Sequence, residues 1–341
     1  MNFLLLFVSI LTLNGQTVEF VAYGDWGDPT QDLKDTIASI KRVSPNRSFN
    51  LLLGDNFYPA GVSSVNDPQF AMFADIVLGD TKLIHYMLLG NHDYLGSVSA
   101  QIQFLQFNSY CDLPSRYYRR IRVENGITVC LIMIDTVSWD SVQVAWIESQ
   151  LKTLECDTSK SWTVISGHFP IWSAGNYADS ANLKSDLLPL MHEYGVQLYL
   201  SGHEHLHQIF FDGSVVQVTS GAVGETRGPI QFLPHPLQIW GVSGFDVVGF
   251  LRIRLSVDAI TVDIVSARND ADFQSFGLTR RGTKKSMFGH INWSYSNSNA
   301  DHIATGVPTS ATSTKSSSSA NALYIILMTS IVWLGISPHN L

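Results

Sequence analysis

Five times along this chain an apolar run of strand length stops at a glycine, and the next residue can ligate a metal. The five sites are Gly24-Asp25-Trp26-Gly27, Gly54-Asp55-Asn56-Phe57-Tyr58, Gly90-Asn91-His92-Asp93, Gly167-His168 and Gly202-His203-Glu204-His205. The runs before them, residues 18–23, 50–53, 83–89, 162–165 and 196–200, are rich in branched and aromatic side chains and read as strands. Residues 33–43, 70–78, 142–154 and 183–194 read as helices, and Gly195 stops the last of them. Strands that alternate with helices build parallel sheet, and sites in such folds form outside the carboxyl ends of the strands. A glycine there lets the backbone turn sharply and leaves room for a ligand. Residues far apart in sequence can therefore meet in one crevice.

A further strand at 127–134 ends at Asp135, and 215–219 is another. Residues 250–255 and 259–265 read as a hairpin around Ser256-Val257-Asp258. Alternation followed by strand after strand predicts a mixed α/β, or α+β, sandwich whose helices cover its sheets. There is no internal repeat and no linker between Thr17 and about Ser298.

The residue types at the strand ends suit two metal ions. Carboxylates and imidazoles bind iron, zinc and manganese, and one carboxylate can bridge two ions. A pair of ions about 4 Å apart can orient a phosphate and stabilise both its attacking and its leaving oxygen. Hydrolysis of phosphate esters needs such help, because the uncatalysed reaction is among the slowest known. A single Asp or His at a strand end is ordinarily structural; the argument rests on seven in this order. The formal net charge of −8 argues against a nucleic-acid-binding surface. It does not argue against phosphate, since bound metals supply local positive charge.

The ordered set G-D-x-G, G-D-x-x-Y, G-N-H-D, G-H and G-H-x-H resembles the purple acid phosphatases, most of all the single-domain, tartrate-resistant animal type. The resemblance runs from about Glu19 to about Val265 and includes Leu95-Gly96 and Val98-Ser99-Ala100-Gln101-Ile102. It implies a calcineurin-like metallophosphoesterase fold with four layers, αββα, and one catalytic domain over 17–298. It implies that Asp25, Tyr58 and His205 hold a ferric ion, that Asp55 bridges, and that Asn91, His168 and His203 hold a divalent iron, zinc or manganese ion. A phenolate on ferric iron gives the colour that names the family, and Tyr58 is the most diagnostic of the set. The implied activity is an acid phosphatase acting on small phosphate esters or phosphoproteins by in-line attack of a metal-bound hydroxide. His92 would stabilise the phosphoryl oxygens and protonate the leaving group, with Asp93 in support. A phosphodiesterase or nucleotide hydrolase on the same site, or a redox or iron-handling surface protein, are the alternatives. There are departures. Ile165 stands where the family has Val. Where animal relatives carry a second His, nine residues after the metal-binding one, this chain has Tyr177. The relatives' usual disulfide has no counterpart, and the short 135–146 segment suggests an enzyme that needs no proteolytic activation.

Residues 1–16 read as a signal peptide without the usual basic start. Residues 299–321 read as a Ser/Thr-rich spacer, and 322–341 as an apolar tail. Together they suggest a GPI-anchor signal, with a membrane helix as the alternative. The expected location is the secretory pathway and cell surface, or the lysosome. Asn46-Arg47-Ser48 and Asn292-Trp293-Ser294 are sequons. Cys111, Cys130 and Cys156 allow one disulfide in a secreted protein, and the sequence does not choose the pair. Among the remaining polar residues, Asp135 reads as hydrogen-bonding support for the site and Glu204 as solvent-facing or supporting. His85 reads as core, His192 as a helix residue without a functional role, and His207 as surface. Trp26 and Phe57 either line the pocket or pack. The basic cluster Arg280, Arg281, Lys284 and Lys285 reads as solvated surface.

Overall fold

The computed structural model describes residues 17–279, except 75–76, 78–82, 107 and 225–227, and the backbone of 292–294. The expected signal peptide, the spacer and tail, the basic cluster and the side chain of Asn292 lie outside the described residues. Among the described residues no helix is long and apolar enough to cross a membrane.

Two mixed sheets form the centre. The first runs, edge to edge, Asn292–Ser294, Asp272–Thr279, Ala259–Ser266, Gly249–Leu255, Val18–Tyr23, Phe49–Leu52, Ile84–Met87 and Cys111–Asp112. Its last four strands are parallel, and Gly249–Leu255 joins Val18–Tyr23 antiparallel. The second runs Gln238–Val242, His207–Phe211, Val216–Ser220, Leu198–Ser201, Trp162–Ser166, Ile127–Met133 and Tyr118–Glu124. Its four central strands, from Val216–Ser220 to Ile127–Met133, are parallel. The mixed α/β expectation holds, as a sandwich of two mixed sheets.

Alternation along one strand shows how the layers are made. Successive side chains of a strand face opposite sides of the sheet. Val129, Leu131 and Met133 belong to the core cluster that also holds Phe20, Leu51 and Leu251 of the first sheet. Cys130, Ile132 and Ile134 belong to a second cluster with Ile147, Leu151, Leu183 and Met191. Those last four sit on the outer helical segments Ser141–Leu151, Leu183–Leu187 and Leu188–Tyr194. On the other side, helix Gln31–Val43 buries Leu33, Ile37 and Ile40, the i, i+4, i+7 stripe legible in the sequence. Thr30 caps it, its hydroxyl accepting the Leu33 amide at 3.3 Å, a contact typically worth about 1 kcal/mol.

Cys130 and Cys156 form the disulfide, and the third cysteine, Cys111, is a buried thiol. His85 is core, as read: the Asn50 amide donates to its Nε2 at 2.8 Å, and burial pushes the ring down to about 4. Trp26 and Phe57 are buried and pack. Trp26 lies 5.2 Å from Phe73, and Phe57 lies 5.1 Å from Phe70. His192 is a surface residue paired with Asp212 at 2.8 Å. His207 corrects the sequence reading. It opens strand His207–Phe211, is fully buried, and shares its Nε2 with the Val247 carbonyl at 2.9 Å.

Candidate metal centre

The parallel strands of both sheets end at the same edge, and the five glycine turns follow them. The turns are strained where chemistry is expected. Asp25, Asp55 and His203 have φ of 58°, 53° and 70°. Left-handed backbone costs an L-residue about 1–2 kcal/mol, and such strain concentrates at functional sites. Gly90 is required by close approach: a Cβ there would lie 2.2 Å from Asp55 Oδ1.

The side chains meet as follows. The Tyr58 hydroxyl lies 2.9 Å from Asp55 Oδ2, 3.2 Å from Asp25 Oδ1 and 3.3 Å from His205 Nε2. His205 Nε2 lies 3.3 Å from Asp25 Oδ1. His168 Nε2 lies 3.4 Å from Asp55 Oδ2 and 3.0 Å from Asn91 Oδ1. The backbone amide of His203 donates to Asp25 Oδ2 at 2.7 Å, and its ring stands 5.1 Å from that of His168. Thus Asp25, Asp55, Tyr58, Asn91, His168 and His205 are in direct side-chain contact, and His203 borders them. Asp25, Asp55 and His168 each offer one ligand atom within 4.8 Å of the others, and all three are buried.

This cluster holds more lone pairs than protons. His168 Nδ1 faces the Leu53 carbonyl at 2.8 Å, so that nitrogen carries the hydrogen. In the neutral ring Nε2 is then a lone pair aimed at two oxygens. The Tyr58 hydroxyl has one hydrogen and faces two carboxylate oxygens and the His205 Nε2. A cation, proton or metal, would relieve this crowding of acceptors. The electrostatics say the same. Burial opposes charge on His168, yet the adjacent Asp55 carboxylate overrides it and holds the ring up at about 9. Burial alone would raise Asp55, but His168 and the His92 amide hold it well below the usual carboxylate range. Buried carboxylates, imidazoles, an amide oxygen and a phenol fit hard or borderline transition-metal ions. A ligating His that donates its other nitrogen to a carbonyl is the usual supporting arrangement.

Around the cluster stand the braces. The His92 amide donates to Asp55 Oδ1 at 2.8 Å, and its Nδ1 donates to the Pro59 carbonyl at 2.6 Å. The His92 ring lies 4.4 Å from that of Tyr58. Asp93 is fully buried and accepts from the amides of Gly90 at 2.8 Å and Asn56 at 3.1 Å, and from Asn56 Nδ2 at 2.9 Å. It makes no contact with the His92 ring among these bonds; it ties the second turn to the third. Burial and then the Asp55 charge raise its carboxyl to about 7. Asp135 is a buried hydrogen-bond acceptor whose partners lie outside the cluster. It accepts from Arg116 at 2.7 Å, from the amides of Val137 and Ser138 at 3.0 Å each, and from the Tyr94 hydroxyl. Glu204 supports and does not face solvent: it is fully buried and accepts from Ser173, Asn176 and Tyr177.

Two participants are absent from the sequence reading. Asn56 joins Asp93 to the Leu88 carbonyl, which its amide reaches at 2.8 Å. Its place inside G-D-N-F-Y is the signal that could have singled it out. Arg116 holds Asp135 from 19 residues away, and no local pattern marks it.

Comparison with known proteins agrees with this geometry. The calcineurin-like phosphoesterase family matches residues 18–207, more than half of the chain. Tartrate-resistant acid phosphatase type 5 of Mus musculus is 30% identical over 304 residues, covering 78% of this chain and 91% of its own. Two solved structures share the fold. GAP50, the anchor in the inner membrane complex of Plasmodium, has a TM-score of 0.68 at 22% identity, covering 79% of this chain and 90% of its own. The purple acid phosphatase PPD1 from yellow lupin seeds has a TM-score of 0.65 at 15% identity, covering 78% and 54%. The chain belongs to the calcineurin-like phosphoesterase family, among the purple and tartrate-resistant acid phosphatases, and is a metal-dependent phosphoric monoester hydrolase.

Proposed function

We propose that this protein is an acid phosphatase of the secretory route that hydrolyses phosphate monoesters at an Fe(III)–M(II) pair, M being iron, zinc or manganese. The observation that carries the reading is the surplus of acceptors around Tyr58 and His168, a site that calls for cations. In this reading Asp25, Tyr58 and His205 would hold the ferric ion, Asn91, His168 and His203 would hold the divalent one, and Asp55 would serve both. An anionic phenolate oxygen favours the harder, trivalent ion. Two ions bound there would acidify a coordinated water and neutralise the phosphoryl oxygens, the ferric ion allowing this at acidic pH.

The chain's own residues supply the rest. With Nδ1–H committed to the Pro59 carbonyl, His92 keeps Nε2 as the ring position that can hold or deliver a proton. As water adds to phosphorus in line and the ester P–O bond breaks, that proton goes to the leaving oxygen. Asp93 acts through position, since its oxygens are committed to Gly90 and Asn56.

The Cys130–Cys156 disulfide supports an oxidising compartment, and Asn46 is exposed at a turn where a glycan has room. A lipid anchor at the C-terminus would then hold the enzyme on the outer cell surface. The test uses the secreted protein and phenyl phosphate at acidic pH. Stripping the metals with a chelator should abolish turnover, and adding back iron with zinc or manganese should restore it. Turnover that survives complete removal of metal would refute the reading.

A further inference from the structure

From Gly228 to Phe245 the chain carries no Asp, Glu, Lys or Arg, although 15% of the whole sequence is charged. Arg227 and Asp246 bound this stretch. Its one titratable side chain, His235, turns inward. Nε2 lies 3.4 Å from Asp179, and the ring stands edge-on to Phe210 at 4.9 Å. What faces outward is apolar. Leu233 and Phe245 are 63% and 64% exposed, and Pro229, Pro234 and Pro236 are exposed with them. Gln231 is the one fully exposed residue of the stretch with a polar side chain. Single exposed apolar residues are ordinary, whereas several on one uncharged segment mark a contact surface.

The stretch is held at the edge of the second sheet that carries the metal cluster. Strand Gln238–Val242 pairs Val242 with His207, two residues beyond His205, so residues 243–245 leave the sheet beside that cluster. Phe245 lies over the start of the stretch: a Cβ on Gly228 would come within 3.3 Å of its ring. The Leu233 amide donates to the Ala174 carbonyl at 2.9 Å. The amides of Ile230, Leu237 and Gln238 donate to Ser243 Oγ at 3.0 Å, His235 Nδ1 at 3.2 Å and the His235 carbonyl at 3.1 Å. The three prolines have no N–H to satisfy. A surface whose backbone donors are bonded or missing loses little on leaving water. That suits a lipid interior, which offers no hydrogen bonds in return.

We propose that residues 228–245 form a membrane-contact surface, with Leu233 and Phe245 entering a lipid bilayer and the metal-bearing edge held against it. Protein-binding surfaces are enriched in Tyr, Trp and Arg at their centres, and the exposed positions here hold none of these. The absence of charge of either sign matches zwitterionic lipid. The path of the chain agrees. Strand Asn292–Ser294 runs antiparallel to Asp272–Thr279, whose first residue lies at the metal-bearing edge beside Val265. The chain therefore passes Ser294 toward that edge, with residues 295–341 still to come. The lipid anchor proposed above would bring this face to a bilayer, and the contact itself needs no anchor.

The experiment frees the full chain from its cells with a phospholipase that cuts glycosylphosphatidylinositol, so that no lipid of its own carries it to a bilayer. A chain found in the medium without that treatment ends the anchor reading and is used in the same way. The environment-sensitive dye NBD is attached at Leu233→Cys, at Phe245→Cys, or at Val123→Cys as the control. Val123 is 71% exposed on strand Tyr118–Glu124, at the opposite edge of the same sheet. Cys111 is buried and should not take the dye. Phosphatidylcholine vesicles are then titrated in. Emission from 233 and 245 should shift to the blue and be quenched by nitroxide on the lipid chains, and emission from 123 should not. Adding Phe245→Asp, with the dye at 233, should raise the lipid needed for half the shift by about tenfold. No shift at 233 and 245 would overturn the proposal. So would an equal shift at all three positions, or a half-point that Phe245→Asp leaves unchanged.

Discussion

Replacing Asp55 by Asn should remove at least about a thousandfold of phosphatase turnover and leave less than one bound ion per chain, since in the proposed site both metal positions would depend on it. Both of its oxygens are engaged. One oxygen accepts the His92 amide at 2.8 Å, and the other lies 2.9 Å from Tyr58 and 3.4 Å from His168. Asn keeps the volume but offers one neutral oxygen where two anionic ones stood. It also removes the negative charge that holds a cation at His168. The fold should survive, because the turn depends on Gly54, Gly90 and the Asp93 brace. Measured metal content, kcat and the melting temperature check this together. A variant that keeps two ions and wild-type turnover would show that Asp55 lies between no metals.

His92→Ala should behave differently. Turnover should fall about a hundredfold while metal content stays at two ions, because the group lost moves a proton and holds no metal. Its backbone amide still reaches Asp55 after the substitution. The fall should be larger for butyl phosphate than for nitrophenyl phosphate, since a good leaving group needs no proton. A fall that is equal on both esters would leave His92 a role in binding phosphate but none in protonating the leaving oxygen. Unchanged turnover would remove it from the reaction altogether.

The site was legible because its elements are local. Each apolar run, each glycine and each ligand candidate after it can be read within five residues, and the alternation of strand and helix places them at one edge. The supporting residues are not local. Glu204 and His207 look like surface groups in G-H-E-H-L-H, since nothing nearby shows that Glu204 is consumed by the 173–177 loop or His207 by the Val247 carbonyl. Strand Tyr118–Glu124 is another case. Its three arginines hide a half-buried edge strand, although Asn125-Gly126, with φ of 52° and 73°, is a tight-hairpin turn joining it to Ile127–Met133. The disulfide joins strand Ile127–Met133 to the short turn Leu154–Cys156, a contact that sequence spacing does not reveal. Cys130 faces the outer layer where Cys156 sits, while Cys111 lies in the other cluster. Boundaries differ for a similar reason: the helix read over 142–154 ends at Leu151, and Leu154–Cys156 forms a separate short turn.

A phenolate of Tyr58 on ferric iron beside a second metal would show in the visible absorption spectrum of the purified protein, with metal analysis of the same sample. Iron should be present, with a broad band in the green that disappears in Tyr58→Phe. A colourless protein that holds two divalent ions and no iron would contradict it. The enzyme would then be a metallophosphoesterase without the ferric centre, and the argument for turnover at acidic pH would fall with it.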